Sequence, residues 1–374
     1  MKRRRILRSV GGGAGIAGTG LTLFRDASSY RHVDTHKSGD EVVRRERVSS
    51  DWWEHVQQAR HYRDIISEKY LGSEGIRSVG ITQGCAEVGD RRRMEISVGV
   101  ESRRYGNDLP AEIHGISVTK RTVPDRKLMT QCENAGDYPD MPGGVEIHDP
   151  EGAATSTCAV KDTNKDEVRM LTADHLFYTG DCKDTSETRV YQDGTVLGDV
   201  RKHDLDLDYA FVDLSLNDTY EYQNKVLDSS LDSRVSVDGY VSSNGVCVMM
   251  CNDACTNGDC SKEDIRKEGI ALGSLTGEHI TEIDHQNDSC PTYEGEGIVT
   301  TFDIAGGDSG GPMYDYRDDD AYILAINSGA TEEQKRQQSC TNDDGEEVKI
   351  YPYGGASGPS AYSIYNDTSM KFAY

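Results

Sequence analysis

A chain of 374 residues in which 35% are apolar has room for two domains and a core of modest size. Acidic residues outnumber basic ones 65 to 41, a net charge of −24, which argues against nucleic acid or an anionic membrane as partner, since both would repel it. Such a surface strains a fold at low salt and is relieved near molar salt, where the Debye length falls to about 3 Å, so the composition suggests a saline setting.

The chain opens MKRRRILRSVGGGAGIAGTGLTLF, and residues 1–28 read as an export signal. Arg3 and Arg4, then Arg5, Ile6 and Leu7, fit the twin-arginine pattern of two arginines, any residue and two apolar ones. The apolar run behind them is short and rich in glycine, unsuited to spanning a bilayer. The segment resembles twin-arginine export signals of salt-loving archaea, which implies a secreted protein that touches membrane only through an uncleaved signal. Residues 29–50 are charged, without apolar periodicity, and are predicted to be a linker.

Asp51 is placed to cap a helix from Trp52 to about Leu71, with Trp52, Val56, Ala59, Ile66 and Tyr70 at helical spacing and Gly72 as the stop. Strands are predicted over 76–82, 94–101 and 115–123, the second with Met94, Ile96, Val98 and Val100 on one face. Together these make a small α+β domain at 51–139, expected to be a pro- or accessory domain, in which Cys85 and Cys132 are expected to pair.

From about residue 140 to 374 the pattern becomes short β-like runs broken by Gly, Asn and Asp: STCAVKD, VRMLTAD, YAFVDLSL, SRVSVDGYV, GEGIVTTFDI, AYILAINSG and SAYSIY. Many short strands with no long helix predict an all-β barrel or sandwich. DTNKDE, at 162–167, lacks the central glycine of a calcium loop and reads as a polar hairpin. The 10 cysteines, an even number, suit disulfides in an oxidising compartment, with Cys290 and Cys340 among the candidates. Cys247, Cys251, Cys255 and Cys260 lack the paired spacing of common zinc knuckles; disulfides are the expectation there and zinc the alternative.

Three stretches carry the chemistry. In GGDSGGP (306–312) one nucleophilic side chain, Ser309, stands among four glycines. A serine hydroxyl needs a general base to become nucleophilic, and its tetrahedral intermediate needs backbone N–H groups aimed at the oxyanion. Small residues let the chain turn so that the amides of Gly307 and Ser309 face one point. His175 ends the apolar run of VRMLTADHLF, a candidate base, and Asp208 opens DYAFVDL, a candidate partner for it, with Asp204 and Asp206 as alternatives on the same alternating strand.

T-A-x-H, D-x-A and G-D-S-G-G-P in this order resemble the chymotrypsin/trypsin-like serine peptidases, and the order His, Asp, Ser separates the chain from subtilisins and α/β-hydrolases. The resemblance covers roughly 140–374. It implies a double β-barrel, with barrels near 140–225 and 232–370 and a catalytic cleft between them. It implies His175 as general base, Asp208 as its orienting partner, Ser309 as nucleophile, and the Gly307 and Ser309 amides as oxyanion hole. It further implies a disulfide between Cys158 and Cys182 bracketing His175, Ser328 supporting the triad aspartate and the substrate, and a late strand at Gly358–Tyr362. The primary pocket would have its floor at Asp303 and small wall residues at Ala330 and Ser360, which suits cleavage after Arg or Lys.

The chain departs from that pattern in four places. Leu176 follows the histidine where the family has cysteine. Asp174 replaces the usual alanine and is expected to raise the pKa of His175. Ala305 stands where a bracing cysteine would be, and no Ile-Val-Gly-Gly start precedes the β-domain. The expected function is a secreted serine endopeptidase acting on proteins or peptides without metal or cofactor. The alternatives are a peptide-binding relative without catalysis and an esterase using the same residues.

Overall fold

The computed structural model describes residues 30–122, 136–150, 152–177, 188–204, 207–228, 233–251, 265–267, 271–273, 275–283, 293–302, 304, 307–330, 338–341, 347–350 and 354–374. Residues 1–28, expected to be an export signal, and Asp206, Asp303, Ala305, Gly306, Cys132, Cys182, Cys255, Cys260 and Cys290 lie outside the described residues, as does the side chain of Cys340.

The segment expected to be a linker is instead a hairpin, β1 (Tyr30–Ser38) and β2 (Glu41–Ser49), closed at Gly39, whose φ of 58° suits a residue without a side chain. In β2 the exposed face carries Glu41, Val43, Arg45 and Arg47 and the inner one Val42, Arg44, Glu46 and buried Val48, so the period of two is present but written largely in Arg and Glu. Helix α1 (Ser50–Tyr70) follows, and its cap is Ser49 rather than Asp51: the Trp52 N–H donates to the Ser49 hydroxyl at 3.3 Å. Asp51 sits in the first turn, where its charge complements the helix dipole. Trp52, Val56, Ala59, Ile66 and Tyr70 are all buried, as their spacing predicts. Strands β3 (Ile76–Val88), β4 (Arg91–Val100), β5 (Glu112–Ile113) and β6 (Ile116–Thr122) complete this part, and Met94, Ile96, Val98 and Val100 are fully buried.

The remainder is mostly β, as expected of an all-β double-barrel domain. Its first half contains β7 (Asp140–Gly143), β8 (Glu146–His148), β9 (Ala153–Thr155), β10 (Cys158–Asp162), β11 (Glu167–Thr172), β12 (Arg189–Gln192), β13 (Thr195–Asp204), β14 (Tyr209–Asp213) and β15 (Glu221–Asp228). DTNKDE is the turn between β10 and β11. The second half contains β16 (Ser233–Val241), helix α2 (Ser243–Met249), β17 (Ile265–Lys267), β18 (Ala271–Gly273), β19 (Leu275–Ile283) and β20 (Tyr293–Thr300). It continues with β21 (Pro312–Arg317), β22 (Asp320–Ile326), β23 (Gly329–Ala330), β24 (Gln338–Thr341), β25 (Glu347–Ile350), β26 (Ala356–Pro359) and helix α3 (Ala361–Thr368). SAYSIY, expected as a strand, is the start of α3: the Ser363 N–H donates to the Ser360 hydroxyl at 3.3 Å, and that cap commits the chain to helix.

Among the described residues, β10-β11-β14-β13-β12-β8-β9 form one antiparallel sheet around a core of Ile147, Met170, Phe177, Val190, Leu197 and Val212. Apart from the β24–β25 pair, which stands as its own two-stranded sheet, the second half lies in two further sheets, one of which also takes in β7 and β15, and both are completed by the N-terminal part. The hairpin docks on the second half where His36 and Lys37 of β1 pair with Val241 and Tyr240 of β16, while β3 pairs with β19 from Ser78↔Thr281 to Thr82↔Gly277. One apolar cluster accordingly runs from Val33, Trp52, Ile81 and Val98 to Val237, Ile298, Tyr314 and Ile326.

The cysteines depart from expectation at two points, Cys158 and Cys247, both expected in disulfides. Cys158, expected to be bridged to Cys182, is a free thiol, fully buried in β10 against the core, and burial pushes its pKa far up. Cys247 is also free and buried, its thiol pushed up to about 12, while Cys85 and Cys251 are disulfide-bonded.

Candidate active site

Neighbouring strands bring two of the three side chains together. Thr172, the last residue of β11, pairs with Ala210 of β14. His175 lies just beyond the one and Asp208 just before the other. His175 opens a single 3-10 turn, and Asp208 adopts a left-handed conformation, φ 46°, which aspartate tolerates better than most residues. Ser309 arrives from the second half, on the turn that leads into β21.

The His175 Nδ1 lies 2.8 and 3.0 Å from the two Asp208 oxygens, and its Nε2 lies 2.7 Å from the Ser309 hydroxyl. A carboxylate only accepts, so the ring proton belongs on Nδ1, and Nε2 faces the serine as an acceptor. The His175 backbone N–H also donates to Asp208, at 2.9 Å, and the Ser328 hydroxyl donates to the same carboxylate. Asp208 is fully buried, which by itself would raise its pKa; the His175 charge, the His175 hydrogen bonds and Ser328 outweigh that and hold it at about 2. The Ser309 and His175 side chains keep only a small opening to solvent. Of the other candidate carboxylates, Asp204 accepts from the Leu207 N–H at 3.0 Å and holds the turn before Asp208.

The glycines around Ser309 have identifiable jobs. Gly307 has φ 91° and Gly310 φ 86°. A Cβ at Gly310 would also stand 2.2 Å from the Thr172 hydroxyl and 2.3 Å from the Thr155 carbonyl, so the turn can press against the first sheet only as glycine. The carbonyls of the turn are all held. Thr155 donates its hydroxyl to the Gly307 carbonyl at 2.6 Å and its N–H to the Ser309 carbonyl at 2.7 Å. The Asp308 carbonyl accepts from Asn327 Nδ2 at 2.9 Å and from the Gly311 N–H at 3.0 Å, and the Gly310 carbonyl accepts from the Thr157 hydroxyl. Among the described residues, neither the Gly307 nor the Ser309 amide is taken up by a hydrogen bond.

The expected contact residues divide. Ser328 joins Asp208, and Ala330 is buried in β23, which pairs with β26. Ser360 is fully buried with its hydroxyl 2.8 Å from that of Ser363, committed to the cap of α3 rather than to a pocket wall. Asp174, expected to act on His175, is fully buried with Oδ2 3.2 Å from His203 Nδ1; burial raises its pKa, against the pull of His203. Thr155, Thr157 and Asn327 were not legible as site residues, because they act on backbone carbonyls. The signals available were a polar Asn ending the apolar run AYILAI and three consecutive hydroxyl residues in ATST.

No family model and no curated protein matches the chain. Among solved structures, the chain is similar to the crystal structure of Thermobifida fusca protease A at 14% identity, with a TM-score of 0.39, covering 62% of this chain and 97% of that one.

Proposed function

We propose that the protein is a secreted serine endopeptidase. The observation that carries this reading is the continuous relay from buried Asp208 through both ring nitrogens of His175 to the Ser309 hydroxyl. In it, His175 Nε2 removes the hydroxyl proton as Ser309 Oγ bonds to the substrate carbonyl carbon. The negative charge moves to the carbonyl oxygen, where the Gly307 and Ser309 amides are free to receive it. The tetrahedral species collapses with cleavage of the C–N bond, and the imidazolium returns the proton to the leaving amine. Water repeats the sequence on the acyl-enzyme and frees the carboxylic acid. Asp208 stays ionised throughout and holds the imidazole in the tautomer the first step requires.

The substrates are proteins or peptides, and no metal or cofactor enters these steps. Asp303, six residues before the nucleophile, suits a pocket for Arg or Lys through charge-assisted hydrogen bonds. Export would follow the twin-arginine route, and the −24 charge suits work in concentrated salt. The N-terminal part, sharing sheets and core with the second half, reads as an accessory domain that stays in place rather than one shed on maturation.

A fluorophosphonate probe and casein test the reading. Wild type should label and digest casein, and Ser309→Ala should do neither while its melting temperature stays within a degree or two. No labelling of folded wild type would leave a binding protein; labelling with ester turnover but no casein digestion would leave an esterase.

A further inference from the structure

Asn327 is completely buried at the end of β22, immediately before the serine that supports Asp208. Its main chain is already committed: its N–H donates to the Gly311 carbonyl at 2.8 Å and its carbonyl accepts from the Gly310 N–H at 2.7 Å. Its side chain donates from Nδ2 to the Asp308 carbonyl at 2.9 Å, which assigns the amide orientation, since a carbonyl needs a donor. The other end, Oδ1, is buried with no hydrogen-bond partner among the described residues. A buried, unpaired acceptor of that kind is a standing cost that an apolar side chain of similar size would avoid.

The Asp308 carbonyl belongs to the peptide unit whose other end is the Ser309 N–H. The unit is planar and trans, so its C=O and N–H point in opposite directions. Anchoring the oxygen inward therefore fixes the direction of the amide hydrogen outward, toward the place an oxyanion would occupy. Thr155 holds the carbonyls on either side, at Gly307 and Ser309, from the first sheet. Asn327 holds the one between them from the second, the only side chain to do so among the described residues, beside the turn's own Gly311 N–H at 3.0 Å.

We propose that Asn327 is a positioning residue: its Nδ2 aims the Ser309 amide, so that the oxyanion hole is set before substrate arrives. The inference rests on the serine-peptidase reading above and adds to it a residue that touches neither substrate nor triad. Asn327→Leu removes the donor and the orphaned acceptor together while keeping the volume near constant. Folding then stays as stable as wild type or gains, because the unpaired Oδ1 is gone. Catalysis falls, because the peptide is no longer held at its oxygen by a side chain. Losing an oxyanion donor outright costs roughly 100- to 1000-fold in kcat. A donor left in place but loosely aimed should cost about 10- to 100-fold, with KM changed less than about threefold.

The experiment measures kcat, KM and melting temperature for wild type, Ser309→Ala, Asn327→Leu and Asn327→Ala on one peptide substrate. Support is a fall in kcat of about tenfold or more in Asn327→Leu at unchanged KM and an undiminished melting temperature. Should the leucine fail to fold, the same comparison is read from Asn327→Ala, which leaves only space. A folded variant with kcat within twofold of wild type overturns the proposal, as does a kcat loss that only tracks lost stability. Wild type without Ser309-dependent turnover overturns the parent reading first, and the two failures are thereby distinct.

Discussion

Glu278→Gln is the most direct test of how the N-terminal part is joined to the rest. Glu278 lies in β19, 1% exposed, with one oxygen 2.6 Å from Arg60 and the other 2.5 Å from Arg63, both on α1. Arg60 also donates to the Ser243 carbonyl at 2.6 Å, so helix, sheet and α2 meet at this carboxylate. Removing one partner of a buried ion pair typically costs about 3–5 kcal/mol, because the remaining charge stays desolvated without compensation. Gln still accepts a hydrogen bond, which argues for the lower end, about 3 kcal/mol against a total of roughly 5–15. At roughly 2–4 °C per kcal/mol for domains of this size, the melting temperature should fall by about 6–12 °C. The exposed pair Asp34–Arg45, 2.8 Å apart with the arginine 61% exposed, is the control. Asp34→Asn should change stability by no more than about 0.5 kcal/mol. The Glu278 deficit should also persist in molar salt, since a buried pair is screened far less than a surface one. Thermal melts followed by circular dichroism at low and high salt read both effects. A Glu278→Gln loss no larger than that of the control would show that α1 is not docked through this carboxylate, and the reasoning would fail.

Two further expectations concern acid and the N-terminal part. The folded pKa of Asp208 is about 2 against an ordinary 3.8, so its ionisation favours the folded state by about 2 kcal/mol. Because the folded value is the depressed one, that contribution is complete above about pH 4 and disappears as pH falls through about 2. Asp208→Asn should therefore lower the melting temperature at pH 6 and lose much of that difference by pH 2.5; a difference independent of pH would refute the assignment. Expressing 136–374 alone bares the edges of β16 and β19 and the apolar faces that pack on α1. That fragment should be insoluble or unlabelled by fluorophosphonate, with recovery when 30–122 is supplied in trans, and prompt, fully active folding alone would count against an integral role.

The sequence showed most where chemistry is carried by side chains in fixed local contexts. His175, Asp208 and Ser309 each sit beside a strand that folds for local reasons, and the apolar alternation of those strands was readable. Asp208 could not be separated from Asp204 by pattern, because both fall on the same face. The left-handed turn at Asp208 and the use of Asp204 to brace that turn decide it. The β1–β2 hairpin was hidden because its exposed face is written in charge, and only the Gly39 turn betrays it. SAYSIY has the composition of a strand, and a single hydroxyl at Ser360 turns it into helix. Cys158 shows the limit of carrying a pairing over from a resemblance: a thiol enclosed in β10 is a small apolar side chain here.

The same contacts explain why the site needs three distant parts of the chain. His175, Asp208 and Thr155 are fixed by the first sheet, and Ser309, Asn327 and Ser328 by the segments that enter β21 and leave β22, which meet at one end of that antiparallel pair. β22 runs parallel to β16, and β16 in turn pairs with β1 of the N-terminal hairpin. The frame that carries Asn327 and Ser328 is therefore the strand that the N-terminal part stabilises at one remove. A weakened β1–β16 contact would loosen the second half's side of the turn while leaving the Thr155 side in place. The Ser309 amide depends on both sides at once, so its aim should fail before the His175–Asp208 pair does, because His175 and Asp208 both sit on turns of the first sheet and take only the Ser328 hydroxyl from the second half.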